Sequence, residues 1–192
     1  MGKLYDGIDD TLEEFIGRQH VFFVGTAPDS PDGHLNVSPK GLDTFLILGP
    51  KSVAYLDLTG SGIETVAHLR QNGRITIMFC AFEGRPLVVR LYGLGRTVER
   101  GDSEWGGLIA QFPEYPGVRS VVVVDVERVA DSCGFAVPVY EYKGERSQWI
   151  DYANKKGPEG IANYQMEKNM TSIDALHGLR VGIPSDRGAT RK

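Results

Sequence analysis

Residues 59–65 (TGSGIET) combine the residue types that hold a phosphate group. They follow an apolar run and open a helical pattern, so their backbone N–H groups and hydroxyls are expected to face an anion. The same residues also suit a purely structural role, in which Ser61 and Glu64 form a capping box and the two glycines only make the turn. The residues alone leave both interpretations open.

A dinucleotide-binding fingerprint is a second interpretation of this segment. Gly60, Gly62 and Thr65 nearly match the pattern GxGxxG, and Glu83 ends the next strand, where a ribose-binding acid would lie. Two features disfavour it. The last small position is a threonine, and residues 83–86 (EGRP) predict a hairpin where a parallel sheet would need a helical crossover.

Two cationic side chains are candidates for contact with the same anion. Arg90 lies among apolar residues of a predicted strand, where a guanidinium requires an anionic partner. That partner is either a ligand phosphate or a carboxylate such as Asp57 or Asp125. Lys40 ends a strand in which Pro39 indicates a sheet edge, and it is solvated unless the fold places it beside a ligand.

The chain shows no constellation for nucleophilic or metal catalysis. It has no GxSxG motif, its four histidines lack a ligand spacing, and Cys80 and Cys133 are too few for a thiolate cage or a disulfide framework. We therefore predict no metal site. We predict instead an anion site whose chemistry is supplied by a bound cofactor.

The hydrophobic pattern predicts a mainly β protein, an antiparallel barrel with accessory helices. In residues 34–38, Leu35 and Val37 would face one side and a polar face the other. Gly93 and Gly95 inside a strand indicate bends. Strands are predicted at 20–27, 34–38, 45–48, 53–58, 75–82, 87–99 and 120–129, and helices at 9–19, within 59–74 up to Asn72-Gly73, near 102–111, and at 145–156 and 158–169.

The 192 residues suit one main domain. We predict a barrel domain over 1–140 and a helical extension over 141–192 that packs on the barrel or on a partner subunit. Its last stretch, 184–192, is typical of a flexible basic tail. The formal charge of −4 disfavours nucleic acid and anionic membranes as partners. An acidic N-terminus and the lack of a long apolar run predict a cytoplasmic protein without a membrane span.

Three stretches carry a family resemblance: residues 34–41 (HLNVSPKG), 53–84 and 88–99 (VVRLYGLGRTVE). In this order they resemble the pyridoxamine 5′-phosphate oxidase-like, flavin-nucleotide-binding split-barrel family, with residues 20–130 spanning the barrel. The resemblance implies a split antiparallel barrel of six or seven strands. It also implies a homodimer that binds FMN in a cleft between its subunits.

The resemblance also implies a set of cofactor-binding residues. The strand 36–40 would lie along the isoalloxazine ring, and the helix start would lie on the phosphate side. The oxidase itself has Arg and Lys where this chain has Glu64 and Thr65, and its C-terminal substrate-binding Arg and His motif is missing here. The implied residues are Asn36, Val37, Ser38, Pro39, Lys40, Leu58, Thr59, Ser61, Gly62, Glu64, Thr65 and Arg90.

The resemblance is closest to the uncharacterised flavin-binding branch of the family. It implies an FMN-dependent oxidoreductase that passes a hydride through flavin N5 to a small-molecule substrate that the sequence does not identify. The alternatives are a non-catalytic flavin-binding or storage protein, a haem-handling protein, and a deazaflavin-dependent reductase on the same fold. Trp149, Tyr152 and Tyr164 could cover the ring from a neighbouring subunit, although packing is the favoured role for each.

Overall fold

The computed structural model describes residues 2–180, so the predicted tail 184–192 lies outside the described residues. Eight strands and four helices follow one another along this part of the chain. They are β1 (Leu4–Tyr5), α1 (Asp10–Gly17), β2 (Phe22–Thr26), β3 (Asn36–Lys40), β4 (Phe45–Gly49), β5 (Ser52–Leu58), α2 (Glu64–Asn72), β6 (Arg74–Cys80), β7 (Val88–Glu99), α3 (Trp105–Ile109), β8 (Val118–Ser132) and α4 (Gln148–Lys168).

All strand pairs are antiparallel and belong to one sheet, in the order β3-β2-β6-β7-β8-β5-β4. The predicted mainly β, antiparallel architecture is confirmed. The count is eight because the two-residue β1 pairs with the end of β8. Strand β6 turns straight back into β7, so the dinucleotide-binding interpretation is wrong for this chain.

The two longest strands, β7 and β8, bend where the sequence indicated. Their register shifts between Tyr92 and Gly93, which marks a bulge. A β-carbon on Gly93 would collide with the backbone oxygen of Asp125, so only glycine permits this close approach. The bend allows the sheet to curl around the main core, while a second apolar cluster that includes Leu56 and Val121 lies on its other face.

Strand β3 lies at one edge of the sheet, as Pro39 indicated, but its faces are reversed relative to an ordinary half-buried strand. Leu35 and Val37 are 79% and 70% exposed, whereas Asn36, Ser38 and Lys40 are only partly accessible. The polar side chains therefore point into the molecule. They do so because each finds a polar partner there, as described below.

The core fills the space enclosed by the curled sheet and is closed at one end by α1. Asp9 caps this helix by accepting a hydrogen bond from the Leu12 N–H, and the helix buries Leu12, Phe15 and Ile16. Tyr55, Phe79 and Ile77 are among the largest fully buried side chains. Burial of this apolar surface is the main stabilising contribution to the fold.

The C-terminal part of the described chain packs back on the barrel. Helix α4 is interrupted at Gly157, whose φ is 67°, and Pro158 follows, so two helical halves lie where two helices were predicted. Gln165 and Asn169 of this region hydrogen-bond to residues 59–61 of the same chain. The division of the chain at residue 140 stays a prediction.

Candidate functional site

The end of β5 carries a fully buried carboxylate. Asp57 Oδ2 accepts a hydrogen bond from Arg119 Nε at 2.6 Å, and its Oδ1 accepts one from Lys40 Nζ at 3.0 Å. Burial alone would raise the pKa of Asp57, but the two cations outweigh it and hold this pKa far below its ordinary value. The carboxylate is therefore charged and fixed, and Lys40 joins the edge strand β3 to β5, which is not its neighbour in the sheet.

The loop between β5 and α2 is held by its carbonyl groups. Arg119 Nη1 donates to the oxygens of Gly60 (3.3 Å) and Gly62 (2.7 Å), and Asn169 Nδ2 donates to Gly60 O (2.8 Å) and Ser61 O (3.5 Å). In a trans peptide the C=O and N–H groups point in opposite directions. The N–H groups of Ser61, Gly62 and Ile63 therefore point away from Arg119 and Asn169. Ser61 and Gly62 are exposed and offer their N–H groups to an anion, whereas Ile63 is buried.

Thr59 fixes the same loop, and its hydroxyl group has two partners inside the protein. Its hydroxyl donates to Gly117 O at 2.7 Å and accepts from Gln165 Nε2 at 2.7 Å, and the residue is buried. The hydroxyl group predicted to reach the ligand is therefore used inside the protein. Thr59 therefore ties the start of the loop to Gly117 and Gln165.

The predicted capping box is wrong. Helix α2 begins at Glu64, its N-cap is Ile63, and no side chain caps it. Ser61 is exposed, and Glu64 Oε1 accepts a hydrogen bond from the N–H of Ile173 at 3.3 Å, from the C-terminal region. The predicted helix end is confirmed, because Gly73 adopts a left-handed conformation (φ 70°) as the C-cap. The N-terminus of α2 therefore keeps backbone N–H donors that no side chain of the described residues caps.

The inward face of β3 forms a polar track from α2 to β5. Asn36 Nδ2 donates to Thr65 Oγ1 and to Ser38 Oγ, each at 3.0 Å, and Lys40 reaches Asp57 at the other end. Four residue steps along a strand span about 13 Å. The track therefore connects the start of α2 with the end of β5.

A cavity of about 800 Å³ opens at the Lys40 end of this track. Three predicted site residues, Pro39, Lys40 and Leu58, share its wall with Trp149 of the same chain. We call it the β3 cavity. The ring of Trp149 packs on Tyr152 with a centroid distance of 5.7 Å, and the ring of Tyr152 packs on Tyr164 with a centroid distance of 6.4 Å. The remaining lining residues are Val21, Gly41, Leu42, Thr44, Leu56, Glu145, Arg146 and Gln148.

Within one chain, the fold does not bring Arg90 to the loop after β5 or to the β3 cavity. It lies near the start of β7, paired with Ala130, and its Nη1 donates to Ser132 Oγ at 3.0 Å. The other end of β7 lies near α2, where Glu99 binds Arg70 of that helix. The side chain of Arg90 is partly exposed, so it needs neither Asp57 nor Asp125 as a partner. A contact of Arg90 with the same ligand would require a second subunit.

Sequence reasoning missed the residues that organise the loop: Arg119, Gln165 and Asn169. A signal existed for the first, because Asp57 and Arg119 are opposite charges inside two apolar strand runs. Their pairing follows only from the antiparallel register of β5 on β8, in which Asp57 lies opposite Ser120. Gln165 and Asn169 give no such signal, since their partners are backbone and hydroxyl oxygens about 100 residues away.

Two classes of feature are absent from residues 2–180. No helix in this range has the length and apolar character of a membrane span. No group of three or more His, Cys, Asp or Glu side chains in the range is placed to hold a metal ion.

Residues 8–133 match the family model described as pyridoxamine 5′-phosphate oxidase. The chain belongs to this family. A relative from Aspergillus flavus, pyridoxamine 5′-phosphate oxidase family protein ustO, is 37% identical over 207 aligned residues, which cover 98% of this chain and 82% of that protein. The family resemblance stated from the sequence is therefore confirmed, and the relative aligns through the C-terminal extension as well as the barrel.

Solved structures show the same fold. The Group A Streptococcus protein HupZ has a TM-score of 0.51 at 22% identity, covering 64% of this chain and 91% of that one. A Lactobacillus delbrueckii protein named for pyridoxamine 5′-phosphate oxidase has a TM-score of 0.51 at 19% identity, covering 66% and 98%. The shared part corresponds in size to the barrel of this family member.

Proposed function

We propose that the protein binds FMN along β3 and acts as an FMN-dependent oxidoreductase. The observation that carries this proposal is the loop after β5, whose carbonyl groups are bound internally so that its N–H groups face outward. Family membership supports a flavin ligand. The polar track on β3 supports this placement of the flavin, because the track joins the loop after β5 to a cavity large enough for a ring system.

The phosphate end of the cofactor is held by backbone donors in this proposal. The exposed N–H groups of Ser61 and Gly62 bind the phosphate, and the positive end of the α2 dipole adds to their attraction. Arg119 and Asn169 act behind the loop, where they fix its carbonyl groups. Thr65 and Asn36 lie at the junction with β3 and offer polar contacts to the chain that links phosphate and ring.

The ring end occupies the β3 cavity in the same proposal. Leu56, Leu58 and Trp149 exclude water from the ring, and Lys40 provides an ammonium group on the cavity wall. Asp57 holds Lys40 in place, so the positive charge stays at one position. When bound, the flavin supplies hydride transfer through its N5 atom, and the protein contributes orientation and electrostatics.

We also propose that the protein is a homodimer. Leu35 and Val37 are exposed apolar residues beside and on an edge strand, and such an edge is normally covered. Pairing of two chains through this face would bury both residues. It would also place the outer side of β3 at the subunit interface, next to the cofactor.

Titration with FMN tests the function directly. The purified protein is expected to quench flavin fluorescence with one FMN per chain, and NADH or NADPH is expected to bleach the bound flavin in anaerobic stopped flow. A bound flavin that no donor reduces would support the storage alternative. A different chromophore mass extracted from the protein would identify a deazaflavin or haem ligand, and a lack of FMN binding would overturn the proposal.

A further inference from the structure

A cleft of about 840 Å³ lies between α1, the β6–β7 turn and residues 140–145. Small-molecule sites commonly enclose about 300–1,000 Å³. Its floor is apolar, since Leu12, Phe15 and Ala81 of the core line it. We call it the α1 cleft, and none of the cofactor-binding residues implied by the sequence contributes to it.

One wall of the α1 cleft is an irregular segment that is nevertheless fixed. The N–H of Tyr140 donates to Phe82 O at 2.9 Å, and the two rings stack with centroids 5.3 Å apart. The ring of Tyr142 stacks on His20 at 3.5 Å with an interplanar angle of 6°. The wall is therefore preformed and aromatic, which lowers the cost of ordering it around a ligand.

Tyr142 also stands between two carboxylates. Its N–H donates to Glu83 Oε1 at 2.7 Å, and its phenolic OH donates to Glu145 Oε1 at 2.8 Å. Each carboxylate keeps a second oxygen that takes no hydrogen bond from the other described residues. An aromatic ring flanked by negative charge attracts organic cations through the ring face and through direct Coulomb attraction.

The other charges of the cleft do not cancel this preference. Five carboxylates and three cationic side chains line it. Two of the cations are already paired, Arg18 with Glu14 and Lys143 with Glu141, which leaves Arg85 as the third. The cleft therefore favours a positively charged ligand and disfavours a phosphorylated one.

The α1 cleft adjoins the β3 cavity. Val21 and Glu145 line both, so ligands in the two spaces would be neighbours. We propose that the α1 cleft binds an organic ammonium ion with an apolar body. Resting on the proposed flavin site, we assign this ligand as the substrate held beside the cofactor.

Calorimetric titration of the flavin-free protein with three matched probes tests the cleft. The probes are 2-phenylethylammonium, neutral 2-phenylethanol and anionic 3-phenylpropanoate. The cation is expected to bind at least about tenfold more tightly than the alcohol, and the anion least tightly. Equal binding of cation and alcohol, or no binding of any probe, would overturn the assignment.

Two variants locate the effect. The double variant Glu83→Gln/Glu145→Gln keeps oxygen acceptors for Tyr142 but removes both charges, so the preference for the cation is expected to disappear. Glu13→Gln is the matched control, since this exposed α1 carboxylate does not line the cleft. A cation preference that survives in the double variant would show that another site binds the probe.

The substrate assignment has its own readout. With FMN present, 2-phenylethylammonium is expected to perturb the visible absorption of the flavin in the wild-type protein but not in the double variant. An unperturbed spectrum would overturn the placement beside the cofactor. If the cation binds but FMN does not, the flavin proposal fails and the cleft stands. FMN binding without a cation preference would overturn the cleft and leave the flavin proposal intact.

Discussion

Arg119 connects the core of the protein to the candidate site. Its guanidinium binds the buried Asp57 on one side and the carbonyl groups of Gly60 and Gly62 on the other. A buried charge without a partner is costly, so each group fixes the other. The outward direction of the loop N–H groups is therefore a consequence of an ion pair inside the barrel.

Asp57→Asn is expected to destabilise the protein strongly. It leaves Arg119 buried without its counter-charge, which costs about 3–5 kcal/mol of the free energy of unfolding. Because the pKa of Asp57 is lowered in the folded state, the stabilisation by its charge is present above about pH 4 and is lost as the pH falls below it. Urea unfolding of both proteins at neutral and acidic pH measures this. An equal slope of stability with pH in the variant would contradict the assignment.

Glu64→Gln is expected to tighten FMN binding. The space that a β-carbon on Gly62 would occupy is filled by Glu64 Oε2, so this carboxylate lies over the anion-binding loop. A carboxylate and a phosphate dianion about 6 Å apart in water repel by about 1.4 kcal/mol, or about tenfold in affinity. Fluorescence titration with FMN and with riboflavin, which lacks the phosphate, separates the effect. A parallel change for riboflavin would mean that Glu64 does not act on the phosphate.

His68 is expected to make the stability of the protein depend on pH separately from Asp57. It is fully buried on α2, and Thr26 Oγ1 lies 3.0 Å from its Nδ1. Burial lowers the pKa of His68, although the carboxylates of Asp174 and Glu64 oppose the shift. The unfolded chain then binds the proton more readily, so stability is full above about pH 6.5 and falls below it. Thermal unfolding of His68→Gln should show a weaker loss between neutral and mildly acidic pH, and an unchanged loss would exclude His68.

The predicted phosphate-binding segment stays a prediction, but the structure gives several of its side chains partners that the sequence did not indicate. The loop at 59–65 could be found from its glycines, hydroxyls and position after a strand. The Thr59 hydroxyl accepts from the Gln165 side chain, and the Glu64 carboxylate of the predicted capping box accepts from the backbone N–H of Ile173. Local spacing carries no information about contacts of that range.

Among the elements, the C-terminal region braces the candidate site. Asn169 is fully buried and donates to the carbonyl groups of Gly60 and Ser61, while Arg70 of α2 donates to Gly178 O at 2.7 Å. Leu179 packs with Ile63 and Val66 of the α2 start. Residues 165–180 therefore hold both the loop and the helix that would bind the phosphate.

Asn169→Ala is expected to weaken FMN binding by about tenfold, because a released Gly60 carbonyl lets the loop rotate and costs about one hydrogen bond. Asn163→Ala, on the exposed side of α4, is the matched control. Equilibrium titration with FMN, with circular dichroism as a check on folding, measures the effect. Equal affinities of the two variants would show that the brace does not act on the site.

Most elements could be predicted from the sequence, because alternating apolar runs and turn residues define antiparallel strands locally. Which side of β3 points into the molecule could not be predicted. Leu35 and Val37 suggested a buried apolar side, whereas the polar residues are turned inward by Thr65 and Asp57. Which face is buried depends on these distant partners, and a period of two does not identify them.

For the whole molecule, the exposed apolar side of β3 predicts association. Val37→Lys is expected to convert a homodimer to a monomer, because it places a charge in the proposed interface. Val139→Lys is the control, since Val139 is 82% exposed and lies far from β3 in the sequence. Light scattering coupled to size exclusion measures the mass of each protein. A wild-type monomer, or a Val37→Lys dimer, would contradict the proposed assembly.

A crystal structure of the protein with FMN tests the central claim most directly. We expect the phosphate to lie within hydrogen-bonding distance of the N–H groups of Ser61 and Gly62, with the ring in the β3 cavity beside Lys40. A phosphate bound elsewhere, for example at Arg90 of the same chain, would contradict the claim. So would a loop whose N–H groups remain in contact with solvent while FMN occupies another part of the molecule.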